Sequence, residues 1–364
     1  MIPTVVSGPG SFARLGEIAR SLRLRQVLLV ADPGIRAAGY VDQARHGLQA
    51  AGVAATPFHA FGENPTSAMV EAGRVAAAPL GIDGFVGLGG GSSLDCAKGI
   101  NFVLTNGGSM RDYRGYGKAA RPLLPFIAVP TTAGTGSEAQ SYALISDTQT
   151  HEKMACGDPT AMAAAVILDP VLTASQPAGV AAAAGYDALA HAVETWVTTR
   201  RTPESEALSR EAWRLLSANY ERSLRDPSNL DAREAMLKGA FTAGAAIERS
   251  MLGATHACAN ALTARYGTAH GVAIGLLLRH VVAWNAEDAA IAGRYRDLDP
   301  DLALTLTRAA TVAGMPPDLA SAGARREDLD ELVALAAPQW TGTFNPRPFD
   351  AAAARLLFER AWHA

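Results

Sequence analysis

Four residues in the second half of the chain could together bind a metal ion. The first two, Asp187 and His191, lie four residues apart in the segment GYDALAHAVE, within a run of alanines. On a helix this spacing places both side chains on one face, about one turn apart, where they could meet a single ion. Such a pair is more often a hydrogen bond on a helix surface than a metal site. The pair alone therefore leaves both interpretations open.

Two further histidines favour metal binding. His256 and His270 lie in LGATHACANALTARYGTAHGVAIG, each in an apolar context, and His270 stands before Gly271 at an expected helix start. A lone histidine of this kind is usually a core residue with its hydrogen bonds satisfied. One carboxylate and three imidazoles, however, form a plausible complete site for a divalent ion. His280 is a weaker fifth candidate, more typical of a helix surface or a cleft.

Two glycine-rich segments in the first half predict a nucleotide-binding site. GLGGGSSLDCAK at 87–98 and AVPTTAGTGSEA at 128–139 each begin at an apolar run. Glycines let the backbone approach a phosphate closely, and the N–H groups of a following helix can hold the anion. A glycine-rich turn can also simply link a strand to a helix, and each Thr or Ser hydroxyl can simply cap one. Two such loops at neighbouring strand ends favour a dinucleotide.

A third expected strand end carries Asp32, in the segment LLVADPG. A carboxylate at this position could accept hydrogen bonds from an adenosine ribose and would repel a 2'-phosphate. We therefore predict NAD rather than NADP as the cofactor.

The elements that must position these residues change in character along the chain. The first half alternates short apolar runs with helical stretches, which predicts βα units and a mostly parallel sheet. The second half contains long helical segments, such as 204–225 and 231–248, and no strand-like run. We predict an α/β dinucleotide-binding domain at 1–177 and an all-α metal-binding domain at 178–364, with a hinge near 168–177.

Composition excludes several classes of partner. The formal net charge of −3 and the dispersed Lys and Arg residues argue against a nucleic-acid partner. The N-terminal residues lack the features of a signal peptide, and the longest apolar runs are too short to span a membrane. Three widely spaced cysteines, Cys96, Cys156 and Cys258, suit buried thiols in a reducing compartment. We expect a cytoplasmic protein.

The motifs together resemble those of one family, the iron-containing or group III alcohol dehydrogenases. The resemblance rests on GGGSSLDCAK, PTTAGTGSEA, ILDPVLT, GYDALAHAVE, LGATHA, AHGVAIG and NPRPF, in the family's order and at nearly its spacing. It covers essentially the whole chain. It implies an N-terminal NAD-binding domain, a C-terminal helical domain, a catalytic metal in the cleft between them, and a homo-oligomer.

The resemblance also assigns roles to individual residues. The metal ligands are expected to be Asp187, His191, His256 and His270, with Fe(II) as the first expectation for the metal and Zn(II) as the alternative. The predicted cofactor-binding residues are Asp32, Asn64, Gly90, Gly91, Ser92, Asp95, Thr131, Thr132, Thr135, Lys153 and Val171. The substrate-pocket candidates are Tyr142, Arg249 and Asn260.

Two of these positions depart from the family pattern. Asn260 stands where many members carry a histidine, and an amide cannot relay a proton at neutral pH. Arg249 follows Glu248 where relatives tend to have small or amide residues. The guanidinium could form a salt bridge with a neighbour, or it could contact an anionic group of the substrate if one helix ran unbroken from Arg249 to His256.

The expected function is a metal-dependent NAD(H) oxidoreductase that interconverts a small alcohol and its aldehyde or ketone, either a plain one or one bearing an anionic group. One alternative is an NAD- and metal-dependent lyase resembling dehydroquinate synthase, but such enzymes use a Glu and two His as ligands. Nearer alternatives are glycerol dehydrogenases and maleylacetate reductases. A metal-binding scaffold without catalysis would leave both glycine-rich loops unexplained.

Overall fold

The protein is described by a computed structural model that covers residues 3–150 and 152–362. The chain divides into two compact units. The first unit is formed by Met1–Thr132 and Gly136–Gln176, and the second by Ala133–Thr135 and Pro177–Ala364.

The first unit contains nine strands and five α-helices among its described residues. The strands are β1 (Thr4–Ser7), β2 (Gln26–Val30), β3 (Ala54–Phe58), β4 (Gly84–Gly89), β5 (Gly115–Tyr116), β6 (Phe126–Pro130), β7 (Tyr142–Ser146), β8 (Lys153–Gly157) and β9 (Ala165–Leu168). The helices are α1 (Leu15–Ser21), α2 (Pro33–Ala37), α3 (Tyr40–Ala50), α4 (Ser67–Ala77) and α5 (Gly91–Asn106).

Six of the strands form a sheet in the order β1-β9-β6-β4-β2-β3, and every neighbouring pair is parallel. A smaller sheet has the order β5-β8-β7, in which β7 and β8 are antiparallel. The main sheet confirms the predicted parallel α/β architecture.

The buried strands explain why the sequence shows continuous apolar runs. All six residues of β4 and four of the five in β2 are buried. Parallel strands covered by helices are apolar on both faces, so their residues do not alternate in polarity. On one face, Leu15 of α1 and Leu48 of α3 belong to the same core cluster as Val27 and Val86.

The three central strands bring the predicted nucleotide loops to one edge of the sheet. Strands β2, β4 and β6 are neighbours and run in the same direction. Their carboxyl ends lead to Asp32, to the glycines that begin at Gly89, and to Thr131. Ligands of open parallel sheets bind at this edge, which is the position a dinucleotide site requires.

The second unit contains helices and no strand among its described residues. Its helices are α6 (Ala178–Val197), α7 (Pro203–Arg225), α8 (Leu230–Arg249), α9 (Ala254–Tyr266), α10 (His270–Asn285), α11 (Ala289–Leu298), α12 (Leu302–Val312), α13 (Leu329–Ala336) and α14 (Ala351–Arg360). Asn229 caps α8 by accepting a hydrogen bond from the N–H of Ala232. This unit confirms the predicted all-α C-terminal half.

Helix α6 lies at the centre of the second unit, since every residue from Gly185 to Val197 is buried. Within the described ranges, none of the helices has the length and apolar character that crossing a bilayer requires.

Candidate active site

The structure brings all four predicted metal ligands together. Oδ1 of Asp187 lies 3.3 Å from Nε2 of His191, 3.3 Å from Nε2 of His256 and 3.8 Å from Nε2 of His270. Three of them, Asp187, His256 and His270, have ligand atoms within 4.8 Å of one another. We call these four residues the ligand group. Their role as ligands stays a prediction.

Three helices position the ligand group. Asp187 and His191 lie one turn apart on α6, His256 lies in the first turn of α9, and His270 is the first residue of α10. Helix α10 can approach α6 because residue 271 is glycine. A Cβ atom at Gly271 would collide with the carbonyl oxygen of Ala183. The close approach therefore depends on the absence of a side chain beside His270.

The ligand group contains buried polar atoms that the protein does not satisfy. Asp187 is 3% exposed and His256 is 4% exposed. Among the described residues, Oδ1 of Asp187 and Nε2 of His256 have no hydrogen-bond partner. Buried polar atoms without partners cost about 1 to 3 kcal/mol each, and native proteins contain few of them. Imidazole and carboxylate ligands suit Fe(II), Zn(II) and similar ions, so these residues fit a divalent metal.

Burial and charge together set the protonation of the group. Burial disfavours the carboxylate of Asp187, but the neighbouring imidazoles, His191 foremost, outweigh it and hold the pKa of Asp187 below its ordinary value. Burial also disfavours a charged His256, yet the carboxylates of Glu194 and Asp187 raise the pKa of His256 to about 9. The site therefore attracts positive charge.

Sequence reasoning missed a carboxylate beside this group. Oε2 of Glu194 contacts Nδ1 of His256, and Oε1 of Glu194 accepts a hydrogen bond of 2.7 Å from the N–H of Thr255. Glu194 lies seven residues after Asp187 on α6, which places both on the same face of the helix. That spacing was visible in the sequence and could have identified Glu194.

The NPRPF motif also contributes to the second unit. Its first residue, Asn345, is buried, and its Oδ1 accepts hydrogen bonds from the N–H of Ala254 at 3.3 Å and from Nδ2 of Asn285 at 3.2 Å. Asn345 thus fixes the start of α9, two residues before His256. In the sequence, only the family resemblance indicated that this motif has a role.

In the first unit, the glycine-rich loop after β4 has the geometry of a phosphate-binding turn. Gly89 has a φ of 145°, and a Cβ atom there would lie 2.8 Å from Cβ of Ser93. Helix α5 begins at Gly91, and a Cβ atom at Gly90 would lie 3.3 Å from Cγ2 of Thr132. The loop can make this turn because glycine lacks a side chain.

Three predicted cofactor residues lie in contact beside this loop. The N–H of Asn64 donates to Oγ of Ser92 at 3.3 Å, and Nζ of Lys153 donates to Oδ1 of Asn64 at 3.4 Å. Asn64 adopts a left-handed conformation, with a φ of 50°. These residues come from distant parts of the sequence, and the fold brings them to the start of α5.

Asp32 lies at the end of β2, where the sequence predicts it. Its Oδ1 caps α2 by accepting hydrogen bonds from the N–H groups of Gly34 at 2.9 Å and Ile35 at 3.1 Å. Its Oδ2 accepts one from Oγ of Ser93 at 3.2 Å. The contact with an adenosine ribose stays a prediction.

Comparisons with known proteins identify the family of the chain. Residues 3–170 match the family described as iron-containing alcohol dehydrogenase, and residues 181–362 match the C-terminal domain of the Fe-containing alcohol dehydrogenase family. The chain belongs to the iron-containing alcohol dehydrogenase family. It is therefore an oxidoreductase of the NAD- and metal-dependent kind that acts on alcohols or aldehydes.

Individual relatives span almost the whole chain. It is 33% identical to alcohol dehydrogenase 4 of Schizosaccharomyces pombe, over 93% of this chain and 83% of the relative. It is 32% identical to 1,3-propanediol dehydrogenase of Klebsiella pneumoniae, over 100% of this chain and 98% of the relative. The crystal structure of a 1,3-propanediol oxidoreductase superposes with a TM-score of 0.94 at 32% identity, covering 100% of this chain and 99% of that one. These relatives are dehydrogenases and give no support to the lyase alternative.

The first unit also contains a buried polar cluster around Lys98. Lys98 is 1% exposed, and its Nζ donates hydrogen bonds to the carbonyls of Ser137 at 2.6 Å, Gln140 at 2.8 Å and Tyr142 at 2.9 Å. These bonds hold the turn between β6 and β7. The ring of Tyr142, a predicted substrate contact, packs against Tyr116 with centroids 5.4 Å apart.

Asp95 belongs to the same cluster. Its Oδ1 accepts a hydrogen bond of 2.6 Å from Oγ of Ser137, and its Oδ2 accepts one of 3.2 Å from the N–H of Leu144. Both oxygens of this predicted cofactor residue thus have protein partners. We call Asp95, Lys98 and Ser137 the Lys98 cluster.

The remaining predicted cofactor positions differ in their surroundings. Thr131 is buried, and its N–H donates to the carbonyl of Gly89 at 3.0 Å. Thr135 belongs to the short segment that groups with the second unit. Val171 is 41% exposed, in the 3-10 helix that follows β9.

The structure gives Arg249 a protein partner. Helix α8 ends at Arg249 and α9 begins at Ala254, so the continuous helix required by the anionic-substrate hypothesis is absent. The guanidinium donates from Nε to Glu204 and from Nη1 to the carbonyl of Ala245 at 3.1 Å. These contacts match the salt-bridge interpretation, with Glu204 as a partner.

Asn260 lies one turn after His256 on α9. Its Nδ2 donates a hydrogen bond of 3.3 Å to Oε1 of Gln339. An amide in this contact supplies no titratable proton.

Proposed function

We propose that this protein interconverts a small alcohol and its aldehyde or ketone with NAD(H), using one divalent metal ion held by the ligand group. The observation that carries the proposal is the convergence of ligand atoms from α6, α9 and α10. Two of these atoms, Oδ1 of Asp187 and Nε2 of His256, are buried and have no hydrogen-bond partner among the described residues. Fe(II) is our first expectation for the ion, and Zn(II) is the alternative.

Each part of the chain has a distinct task in this proposal. A bound divalent ion supplies Lewis acidity to the oxygen of the substrate. Asp187 stays ionised and, with the three imidazoles, fixes the position of that ion. The buried surroundings of Asp187 and His256 keep water away from these atoms. Asn260 cannot take up a proton, so the alcohol proton leaves through water, a ribose hydroxyl or another side chain.

The first domain, proposed to span 1–177, binds NAD. The glycine loop at Gly90 and Gly91 and the first turn of α5 present backbone N–H groups to the pyrophosphate. Asn64, Ser92 and Lys153 provide a polar edge beside that loop. The helical domain, proposed to span 178–364, binds the metal.

We also propose that the protein acts in the cytoplasm as a homo-oligomer. Its cysteines Cys96, Cys156 and Cys258 are all buried and none forms a disulfide, which suits a reducing compartment. The oligomer is what the family resemblance implies.

The test is an assay of NADH formation and consumption with a panel of small alcohols, aldehydes and ketones. We expect activity with wild-type protein and a loss of at least about 1000-fold in Asp187→Asn, because Lewis-acid stabilisation contributes several kcal/mol. Activity in Asp187→Asn equal to that of the wild type would contradict the proposed role of the ligand group.

The cofactor preference gives a second measurement in the same assay. We expect a higher kcat/KM with NAD(H) than with NADP(H), because Asp32 would place a negative charge against the 2'-phosphate. Asp32→Gly should narrow this preference. Equal kcat/KM values for NAD(H) and NADP(H) in the wild type would contradict the role assigned to Asp32.

The charge of the substrate can be tested at Arg249. An anionic aldehyde would have to displace Glu204 from the guanidinium, so we expect Arg249→Ala to change activity equally on an anionic and a neutral aldehyde of similar size. The matched variant Glu204→Gln leaves the arginine in place and removes its partner. A selective loss of about 10- to 100-fold on the anionic aldehyde in Arg249→Ala would instead support the anionic substrate.

A further inference from the structure

Glu194 makes two contacts that connect α6 to the start of α9. One carboxylate oxygen contacts Nδ1 of His256, and the other accepts a hydrogen bond of 2.7 Å from the N–H of Thr255. Glu194 is 4% exposed. Two adjacent residues of α9 are therefore held by one buried side chain of α6.

These contacts determine which nitrogen of His256 can bind a metal. A neutral imidazole carries one N–H donor and one lone pair, and a carboxylate offers only acceptors. The contact with Glu194 therefore places the N–H on Nδ1 and leaves the lone pair on Nε2. Nε2 is the atom that lies 3.3 Å from Oδ1 of Asp187, within the ligand group.

We propose that Glu194 is a positioning residue that fixes the tautomer and orientation of His256 for metal binding. This inference rests on the proposed function, because it requires the ligand group to hold a metal. A carboxylate on the far nitrogen of a ligating imidazole increases its basicity and restricts its orientation. Asp187 and Glu194 together also carry two negative charges, which equal the charge of one divalent ion.

The amide variant Glu194→Gln tests this role with almost no change in volume. Glu194 satisfies two N–H donors with two oxygens, whereas glutamine has a single oxygen and an NH2 group. If the oxygen accepts from Thr255, the NH2 group faces Nδ1 of His256 and favours a proton on Nε2. If the oxygen accepts from His256, the NH2 group faces the N–H of Thr255. The first arrangement places the proton on the nitrogen that would bind the metal. The second keeps the proton on Nδ1 but sets two N–H donors against each other at the start of α9, which displaces His256.

The experiment measures the dissociation constant for Zn(II) of the metal-free, full-length protein, by competition with a chelator of known affinity. We expect Glu194→Gln to weaken Zn(II) binding by about 10- to 100-fold, as loss of such partners does at other metal sites. The matched control is Glu206→Gln, which removes one negative charge from the same unit. The native Glu206 pairs with Arg294 and Arg201 instead of a ligand-group histidine. This control should bind Zn(II) as tightly as the wild type.

A spectroscopic measurement separates positioning from packing. In Zn(II)-loaded protein labelled with 15N-histidine, we expect a strongly deshielded Nδ1 proton from His256 in the wild type and in Glu206→Gln. The signal should shift upfield or disappear in Glu194→Gln. A role limited to packing would leave the protonated nitrogen of His256 unchanged, and that result would overturn the inference.

The outcomes distinguish this inference from the proposal on which it rests. Wild-type protein that fails to bind one equivalent of Zn(II) would overturn the ligand group itself. Equal affinities of wild type and Glu194→Gln, or equal losses in Glu194→Gln and Glu206→Gln, would overturn the role of Glu194 alone. If Glu194→Gln does not fold, Glu194→Asp replaces it, because the shorter carboxylate cannot span both donors. Wild-type affinity in Glu194→Asp would likewise overturn the inference.

Discussion

Two buried polar clusters, one in each unit, differ in how their atoms are satisfied. In the Lys98 cluster, the ammonium group donates to three backbone carbonyls, and both oxygens of Asp95 accept hydrogen bonds. In the ligand group, Oδ1 of Asp187 and Nε2 of His256 have no hydrogen-bond partner in the described part of the chain. The Lys98 cluster is buried, and so are Asp187, His191 and His256 of the ligand group.

The difference separates a structural cluster from a binding site. A buried charge that carries its own donors and acceptors stabilises the segments around it and needs no ligand. A buried group that is rich in acceptors and short of donors gains its partner only when a cation binds. Residue type alone would not distinguish the two, because each cluster combines a carboxylate with basic side chains.

Removal of the metal gives the largest expected difference between the clusters. We expect prolonged chelation to lower kcat by at least about 1000-fold, and Fe(II) or Zn(II) to restore it, because a Lewis acid contributes several kcal/mol to such reactions. Binding of NAD, measured by calorimetry, should change little because the predicted cofactor loops contain no ligand-group residue. Full activity in protein shown by elemental analysis to be metal-free would make the ligand group structural.

Replacement of Lys98 tests the structural role of the Lys98 cluster. We expect Lys98→Met to lower the free energy of unfolding by about 3 to 5 kcal/mol, because it removes several buried hydrogen bonds to a charged group. Urea unfolding followed by circular dichroism measures this change. The control Lys238→Met, which breaks a partly exposed ion pair with Glu234, should cost less than about 1 kcal/mol. Similar losses in both variants would show that the Lys98 cluster has no special structural role.

Metal binding should stabilise the second unit by a smaller amount. Zn(II) at about 100 times its dissociation constant should raise the free energy of unfolding by about 2.7 kcal/mol. All five tryptophans lie between residues 196 and 362, so fluorescence reports on this unit. Asp187→Asn should show little of the stabilisation. An equal gain in Asp187→Asn would place the ion outside the ligand group.

The smallest expected effect on stability concerns Asp147, a carboxylate that accepts hydrogen bonds from the protein and pairs with the half-exposed Arg111. The Arg111 guanidinium and the N–H groups of Thr150 and Gln149 hold the pKa of Asp147 well below its ordinary value. Its contribution to stability is therefore present above the unfolded pKa of about 3.9 and is lost as the pH falls below it. The urea midpoint of Asp147→Asn should lie below that of the wild type at pH 7, and the two should converge below about pH 4. A constant difference across this range would show that ionisation of Asp147 is unimportant.

Local patterns predicted the parts of the fold that depend on neighbouring residues. The apolar runs ending at Asp32 and Gly89 predicted parallel strands, and the spacing of Asp187 and His191 predicted a shared helix face. His270 begins α10, as its position before a glycine indicated. The family resemblance, which rested on these and other motifs, was confirmed.

Features that depend on contacts between distant segments could not be predicted. The carbonyls that surround Lys98 follow it by about forty residues in the sequence, and nothing near Lys98 indicates them. Glu204, the partner of Arg249, lies one helix earlier in the chain. The sequence left open whether one helix runs from Arg249 to His256, and the structure shows a break between Arg249 and Ala254.

The ligand group draws its side chains from α6, α9 and α10, and the first and last of these helices are widely separated along the chain. An ion held by all three would act as a cross-link, since it would close a long loop that the unfolded chain leaves open. The first turns of α9 and α10 would then exchange their amide hydrogens more slowly when the ion is bound, while the far ends of both helices would open as before. Bound metal would thus protect the N-terminal ends of α9 and α10 from hydrogen exchange and leave their C-terminal ends unprotected.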